Sequence, residues 1–275
     1  MQQQECWASG ETWGADNIIA DTARPGLLGL SRLAARVALL AAALAVCLPM
    51  HGFWRLMGRP SPWPRRFLRL AARCVGARVR VLGSPLPGDV FFVANHLSWI
   101  DITVIGGATG TAFVAQDKIA EWPLIGWLAT LNHTVFVSRT ARMTVGTQVE
   151  ELRAALAEHQ PVTIFPEGTT TDGRSLLPFK APLFAVLMPP PRTLWIQPVL
   201  LDFDDAGKDL AWIGEETAPE NALRVFTRKG SFEVRVHFLE PFDPGEHPHR
   251  KAISAEARAR ISAALSRSLD GVTIH

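Results

Sequence analysis

Short apolar runs alternate with stretches of helical spacing through most of this chain, and few architectures can bury both. The runs at 90–94, 112–115, 134–137, 162–165 and 194–201 are uncharged and of strand length. Between them, segment 143–159 carries Val145, Val149, Leu152 and Leu156 at helical spacing, with Glu150, Glu151, Arg153 and Glu158 on the other side. Segment 179–188 predicts a shorter helix, stopped by Pro189, Pro190 and Pro191. Phe232, Val234, Val236 and Phe238 alternate with Glu233, Arg235 and His237, which predicts a half-exposed strand over 231–239; 250–269 predicts an amphipathic C-terminal helix. Strands alternating with helices predict one α/β domain over 81–275, with a mixed, mostly parallel sheet flanked by helices. The 275 residues suffice for such a domain plus an appendage.

The appendage lies upstream. Residues 22–88 contain eleven arginines and no Asp or Glu, so the formal charge of +2 hides a very uneven distribution. Such a stretch repels itself in water and is attracted to polyanions, either nucleic acid or an anionic lipid surface. Hydrophobic residues among the arginines favour lipid. Segment 37–50 has no charge, and beyond it Phe53, Trp54, Trp63, Phe67, Leu68 and Leu70 are interleaved with Arg. The uncharged run is shorter than the roughly 20 residues that cross a bilayer, but snorkelling by Arg32 and Arg36 keeps a span open. The competing reading is an Ala/Leu-rich core helix with a solvated basic flank. No nucleic-acid-binding motif accompanies the charge, and no nucleic-acid partner is expected.

We therefore expect a polar tail over 1–26 and membrane-associating helices over 27–80. Glu5, Glu11, Asp16 and Asp21 argue against a cleaved signal peptide. Cys6, Cys47 and Cys74 have no paired or metal-like spacing, which fits a reducing compartment. Arginines flanking the apolar run fit the cytoplasmic face of an inner membrane.

The chemistry begins where the strand at 90–94 ends, in Asn95-His96-Leu97-Ser98-Trp99-Ile100-Asp101. Ligand sites in open α/β sheets gather at the carboxyl ends of strands. An imidazole there can take a proton from a hydroxyl, and a carboxylate on its other nitrogen would fix the tautomer and stabilise the imidazolium. Positions five apart do not share a helix face. His96 and Asp101 can meet only if the histidine sits in the turn before a helix and the aspartate reaches back from its first turn. Ser98 with Asp101 is also a capping-box pattern, a reading that needs no catalysis. Phe165-Pro166-Glu167-Gly168-Thr169 closes a second strand, and Arg139 follows a third. Gly168 permits close backbone approach, Thr169 offers a hydroxyl, and the Arg139 guanidinium suits a phosphate. The plain alternatives are a turn carboxylate bonded to backbone for Glu167 and a surface ion pair for Arg139.

With these residues in view, the chain resembles the glycerophospholipid acyltransferase family, whose best-known members acylate 1-acylglycerol-3-phosphate. Its NHxxxxD block is similar to Asn95 through Asp101, and further blocks are similar to Thr134-Val135-Phe136-Val137-Ser138-Arg139, Phe165-Pro166-Glu167-Gly168-Thr169 and Ile196-Gln197-Pro198-Val199. Lys118, followed by Trp122-Pro123-Leu124-Ile125-Gly126, adds to the likeness, which runs from about 88 to 205 in the family's motif order.

The resemblance implies His96 as general base on the acceptor hydroxyl and Asp101 as its holder. Arg139, Glu167, Gly168 and Thr169, with Lys118, would bind the acceptor. The implied donor is acyl-CoA or acyl carrier protein, with no metal and no bound cofactor. The expected activity is lysophosphatidic acid O-acyltransfer at a membrane, giving phosphatidic acid. Two departures bear on the acceptor: Asn132-His133 stands where a Gly often opens the second block, and Ala181-Pro182 follows Phe179-Lys180 where the family often has Arg-Gly. A lyso-ornithine lipid acceptor is the first alternative, and a non-catalytic lipid-binding membrane protein is another. A metal hydrolase using His96, Asp101, His133 and Glu167 is disfavoured, because their separations fit no standard ligand spacing.

Overall fold

A computed structural model of the protein describes residues 25–137, 152–153, 160–272 and 274. Helices α1 (Leu27–Leu56) and α2 (Trp63–Cys74) lead into strand β1 (Ala77–Leu82). Then come β2 (Val90–Ala94), α3 (Ile100–Thr109), β3 (Ala112–Gln116), α4 (Pro123–Leu131) and β4 (Val135–Val137). The remainder holds β5 (Val162–Ile164), β6 (Trp195–Asp202), α5 (Ala218–Thr227), β7 (Phe232–Phe238) and α6 (Arg250–Leu269). All seven strands join one sheet in the order β1-β7-β6-β2-β5-β3-β4. Only the β6–β7 pair is antiparallel, so the sheet is mixed and mostly parallel.

The strand β2, Val-Phe-Phe-Val-Ala, is buried along its whole length, as a central strand covered on both faces must be. Val90, Phe92 and Ala94 meet Ile100, Val104 and Ile105 of α3 on one face. Phe91 and Val93 meet Ile253, Ala257 and Ile261 of α6 on the other. Helix α2 lies against α3, where a Cβ on Gly107 would stand 2.8 Å from the Arg69 Cα. Glycine is therefore required at that crossing. Arg65 and Arg69 donate to the Ala108 and Gly107 carbonyls and so cap the C-terminal end of α3.

Three features differ from expectation. The strand β1 is unanticipated, because Arg78 and Arg80 alternate with Val79 and Val81 on a sheet edge where both faces are exposed. The boundary expected after residue 80 falls inside it, and Ala72 of α2 and Val75 just after it already belong to the core. The helix expected over 179–188 is a 3-10 helix, Ala181–Leu187; seven residues before the proline triplet are too few for a cooperative α-helix. Arg32 and Arg36 do not snorkel. Arg36 donates to the Val225, Phe226 and Gly230 carbonyls at 2.8, 3.0 and 3.0 Å, and Arg32 donates to Thr227 at 3.2 Å, together capping α5. Arg139 and most of 143–159 lie outside the described residues, where Leu152 and Arg153 are helical.

Helix α1, at 30 residues, is long and apolar enough by length and composition to cross a bilayer, and little of it is buried. Leu27, Leu39, Val46, Phe53 and Leu56 are exposed along it. Trp122, Leu124, Ile125 and Trp127 at α4 are also exposed.

Candidate active site

The site is built where β2 leaves the sheet. Asn95 extends the ladder with its side chain: its amide donates to the Leu201 carbonyl at 3.0 Å and accepts from the Leu201 N–H at 2.7 Å. The β2–β5 register sets Val93 beside Ile164, and the same offset carries on to His96 and Glu167. There the His96 N–H donates to Glu167 Oε1 at 3.0 Å. The His96 carbonyl accepts from the Thr171 N–H at 2.8 Å, and the Leu97 carbonyl from the Trp212 N–H at 2.9 Å. Hydrogen bonds to three separate segments, at Leu201, at Glu167 and Thr171, and at Trp212, thus pin the loop before α3 begins.

Asp101 stands in the first turn of α3, where the helix dipole favours a negative charge. It reaches back. Its Oδ2 accepts from His96 Nδ1 at 2.7 Å, from the Leu97 N–H at 2.6 Å and from the Ser98 N–H at 2.9 Å. The five-residue spacing works as expected, with histidine in the turn and aspartate in the helix. The capping-box reading fails on the hydroxyl: Ser98 Oγ is buried without a partner, and the Asp101 N–H goes to the Ser98 carbonyl instead. Asp101 is wholly buried, whereas the His96 side chain is 20% exposed. The imidazole stacks on Phe165 at 4.1 Å between ring centres, and Phe113 stacks on the far side of Phe165. A carboxylate accepting at Nδ1 holds the proton there, which leaves the Nε2 lone pair as the basic atom.

Glu167 has the bonds of its plainer reading, a turn carboxylate bonded to backbone. It is 2% exposed, and both its oxygens are engaged by backbone, Oε1 by His96 and Oε2 by Leu177 at 2.9 Å. It ties two motif loops together. Burial raises its carboxyl above the ordinary value, opposed by those two N–H groups and by His96. Gly168 has φ +71°, and the Lys180 side chain lies over it where a Cβ would collide. Lys180 was not counted among the candidate residues, although Phe179-Lys180 was noted as a family pattern. Its backbone N–H bonds the Pro166 carbonyl at 2.8 Å, which brings its side chain to the loop of Glu167. Thr169 is exposed, and Lys118 is exposed on the single turn Asp117–Ala120. Neither has a hydrogen bond to the His96–Asp101 pair. Arg139 lies outside the described residues.

The structure adds Trp99 and Asn221. Trp99 Nε1 donates to Asn221 Oδ1 at 3.0 Å, and its ring stacks on Phe226. Asn221, fully buried in α5, is itself held by Glu216 at 2.8 Å, and Arg224 bonds Glu216 in turn. The histidine loop therefore leans on the helix that Arg32 and Arg36 of α1 cap. No local pattern reveals a contact between residues 122 positions apart. His133 is not part of the site, and among the described residues no group of three or more His, Cys, Asp or Glu could hold a metal ion.

Residues 78–202 match the model of the acyltransferase family. The chain is 36% identical over 229 residues to the lyso-ornithine lipid O-acyltransferase of Rhizobium meliloti, covering 78% of each chain. It is 29% identical to the 1-acyl-sn-glycerol-3-phosphate acyltransferase of Neisseria meningitidis, covering 73% of this chain and 79% of that protein. The fold superposes with a TM-score of 0.65 on the 1-acyl-sn-glycerophosphate acyltransferase PlsC of Thermotoga maritima, at 20% identity, covering 92% of this chain and 98% of that one. The four sequence blocks at 95–101, 134–139, 165–169 and 196–199 all fall inside the matched span. The chain belongs to the acyltransferase family and is an O-acyltransferase of the lysophospholipid type.

Proposed function

We propose that the protein transfers a fatty acyl group from acyl-CoA or acyl carrier protein to the free hydroxyl of a lyso-ornithine lipid at a membrane surface. The observation that carries the chemistry is the His96–Asp101 pair, one carboxylate oxygen on Nδ1 and a partly exposed ring. Nε2 takes the hydroxyl proton as the oxygen attacks the thioester carbonyl carbon. The tetrahedral intermediate then expels sulfur, and the imidazolium returns the proton to the departing thiolate. The hydroxyl attacks directly, so no acyl-enzyme forms and no cofactor takes part.

Two considerations favour the ornithine acceptor over lysophosphatidic acid. The relatives at 36, 33 and 32% identity are lyso-ornithine lipid acyltransferases. Where the family often has Arg-Gly after Phe179-Lys180, this chain has Ala181-Pro182, one guanidinium fewer beside Lys180. An ornithine head has a carboxylate and no phosphate, which asks less of a cationic site. Lysophosphatidic acid remains the second reading, supported by the 29% relatives and by Arg139 in the second block.

Membrane attachment fits lipid substrates. The exposed leucines and phenylalanine of α1 and the exposed tryptophans at α4 would enter the bilayer from its cytoplasmic face, with exposed arginines such as Arg55, Arg59 and Arg66 toward the headgroups.

The test is purified protein with lyso-ornithine lipid or lysophosphatidic acid, isotope-labelled acyl-CoA or acyl carrier protein, and product identification by mass. We expect the diacylated ornithine lipid as main product, and about 10²- to 10⁴-fold slower turnover in a folded His96→Ala variant. Phosphatidic acid as main product would replace the acceptor assignment. Lipid binding without transfer to either acceptor would overturn the enzyme reading.

A further inference from the structure

A groove of about 790 Å³ runs between α2, β1 and α3, and His96, Asp101 and Glu167 do not line it. Its walls carry Arg65, Arg69, Arg73, Arg78 and Arg80, and Glu233 is the one acid among its lining residues. The arrangement follows from the elements. Arg65, Arg69 and Arg73 are four apart and share one face of α2. On β1, Ala77, Val79 and Val81 face α2 and α3 and floor the groove, since Val79 is in register with buried Val234; Arg78 and Arg80 alternate with them and line the groove from around the edge. Because β1 is the edge strand, no further described strand lies beyond it to close that side. Close approach of α2 to α3 at Gly107 sets the α2 arginines along one wall.

Five arginines and a single carboxylate among its lining residues leave the groove strongly positive. Arg65 is pushed below its ordinary pKa by burial and by the charge of Arg69. Arg65 and Arg69 each spend one donor on the α3 carbonyls, whereas Arg73, Arg78 and Arg80 have no hydrogen bond or ion pair among the described residues. A cluster of this kind is relieved by a multiply charged anion, and the planar guanidinium fork matches phosphate oxygens in pairs. Carboxylates of the protein are too few here to do it. The volume suits a ligand headgroup or a nucleotide.

We propose that this groove is a binding site for a phosphate-bearing anion, separate from the acyl-transfer site. Two sources share that chemistry: the headgroup of an anionic phospholipid and the phosphates of coenzyme A. The lipid is favoured by position, since α2 packs along α1, whose exposed side is apolar. Thr103 and Val104, in the turn of α3 that follows Asp101, also line the groove, so an occupant touches the helix that holds the aspartate.

The experiment uses the full chain in non-ionic detergent at low salt and reads binding by calorimetry, so its outcome does not depend on acyl transfer. Ligands are short-chain phosphatidylglycerol, coenzyme A and, as the phosphate-free control, a diacylglycerol of the same chain length. The variant is Arg73→Gln, Arg78→Gln and Arg80→Gln combined, which spares the two arginines that cap α3. We expect phosphatidylglycerol to bind at least about tenfold more weakly to the variant, with the diacylglycerol unaffected. Loss of coenzyme A affinity instead would keep the phosphate site and assign it to the donor. No loss for either phosphate ligand, or an equal loss for the diacylglycerol, would overturn the proposal.

Discussion

Replacing Asp101 with Asn tests the proposed chemistry most directly, because it removes a charge while keeping the shape. In the folded protein Oδ2 accepts from His96 Nδ1, Leu97 N–H and Ser98 N–H, all within 2.9 Å. The Asn carbonyl oxygen can take that position and keep all three bonds. What disappears is the attraction between a carboxylate and the imidazolium that forms as the hydroxyl gives up its proton. Full charges 2.7 Å apart attract by about 6 kcal/mol at an effective dielectric near 20. Partial proton transfer and water at the exposed ring edge reduce this to about 3 kcal/mol in the transition state. That corresponds to about a hundredfold loss in kcat. Acceptor KM should stay unchanged, since the ground-state imidazole is neutral.

The variant should also melt lower. Its NH₂ group occupies the place of Oδ1, which is buried without a partner, and an unsatisfied buried donor costs about 1–3 kcal/mol. Initial rates in mixed micelles at saturating donor, with a melting curve on the same sample, separate the two effects. A folded Asp101→Asn enzyme with kcat within about threefold of wild type would refute the charge argument.

Glu167→Gln turns one backbone-facing oxygen into a donor, so the His96 or the Leu177 N–H loses its acceptor. We expect a cost of about 1–3 kcal/mol, read as a fall in Tm of several degrees together with slower turnover. An unchanged melting curve would show that the cross-link is not needed. Asn221→Leu strands Trp99 Nε1 and should lower kcat about tenfold with acceptor KM unchanged. If kcat holds, α5 does not position the histidine loop. His237 is buried on β7 with Nε2 unpartnered, and its pKa is lowered by burial, with Arg235 adding to the shift and Asp202 opposing it. Its folded value lies below the ordinary 6.5, so stability is full above pH 6.5 and falls as pH drops through that value toward the folded one. Denaturant melts on either side of pH 6.5 should show less of this loss in His237→Leu; an identical pH dependence would assign it to other groups.

How much was legible follows from how local each interaction is. The strands at 90–94 and 194–201, the helix over 250–269 and the pairing of His96 with Asp101 all rest on neighbours within a few residues. Periodicity and turn geometry suffice for those. Strand β1 escaped because alternating arginine and valine on an exposed edge has the same composition as a membrane-surface segment. The bond from the His96 N–H to Glu167 joins residues 71 positions apart. Motif order says that two loops meet, and only the register says which atoms do.

The sequence alone determined the pairing at the end of β2: a carboxylate five residues after a histidine can close the turn onto the imidazole through bonds made within that short stretch. Tertiary structure decided the rest. It set Glu167 against the His96 backbone, gave Arg32 and Arg36 to the carbonyls of α5, and gathered arginines from a helix and a strand along one groove. Those contacts join residues tens to nearly two hundred positions apart. They depend on how close elements pack, as at Gly107 against Arg69, and packing distance is a property of the folded assembly that no local pattern encodes.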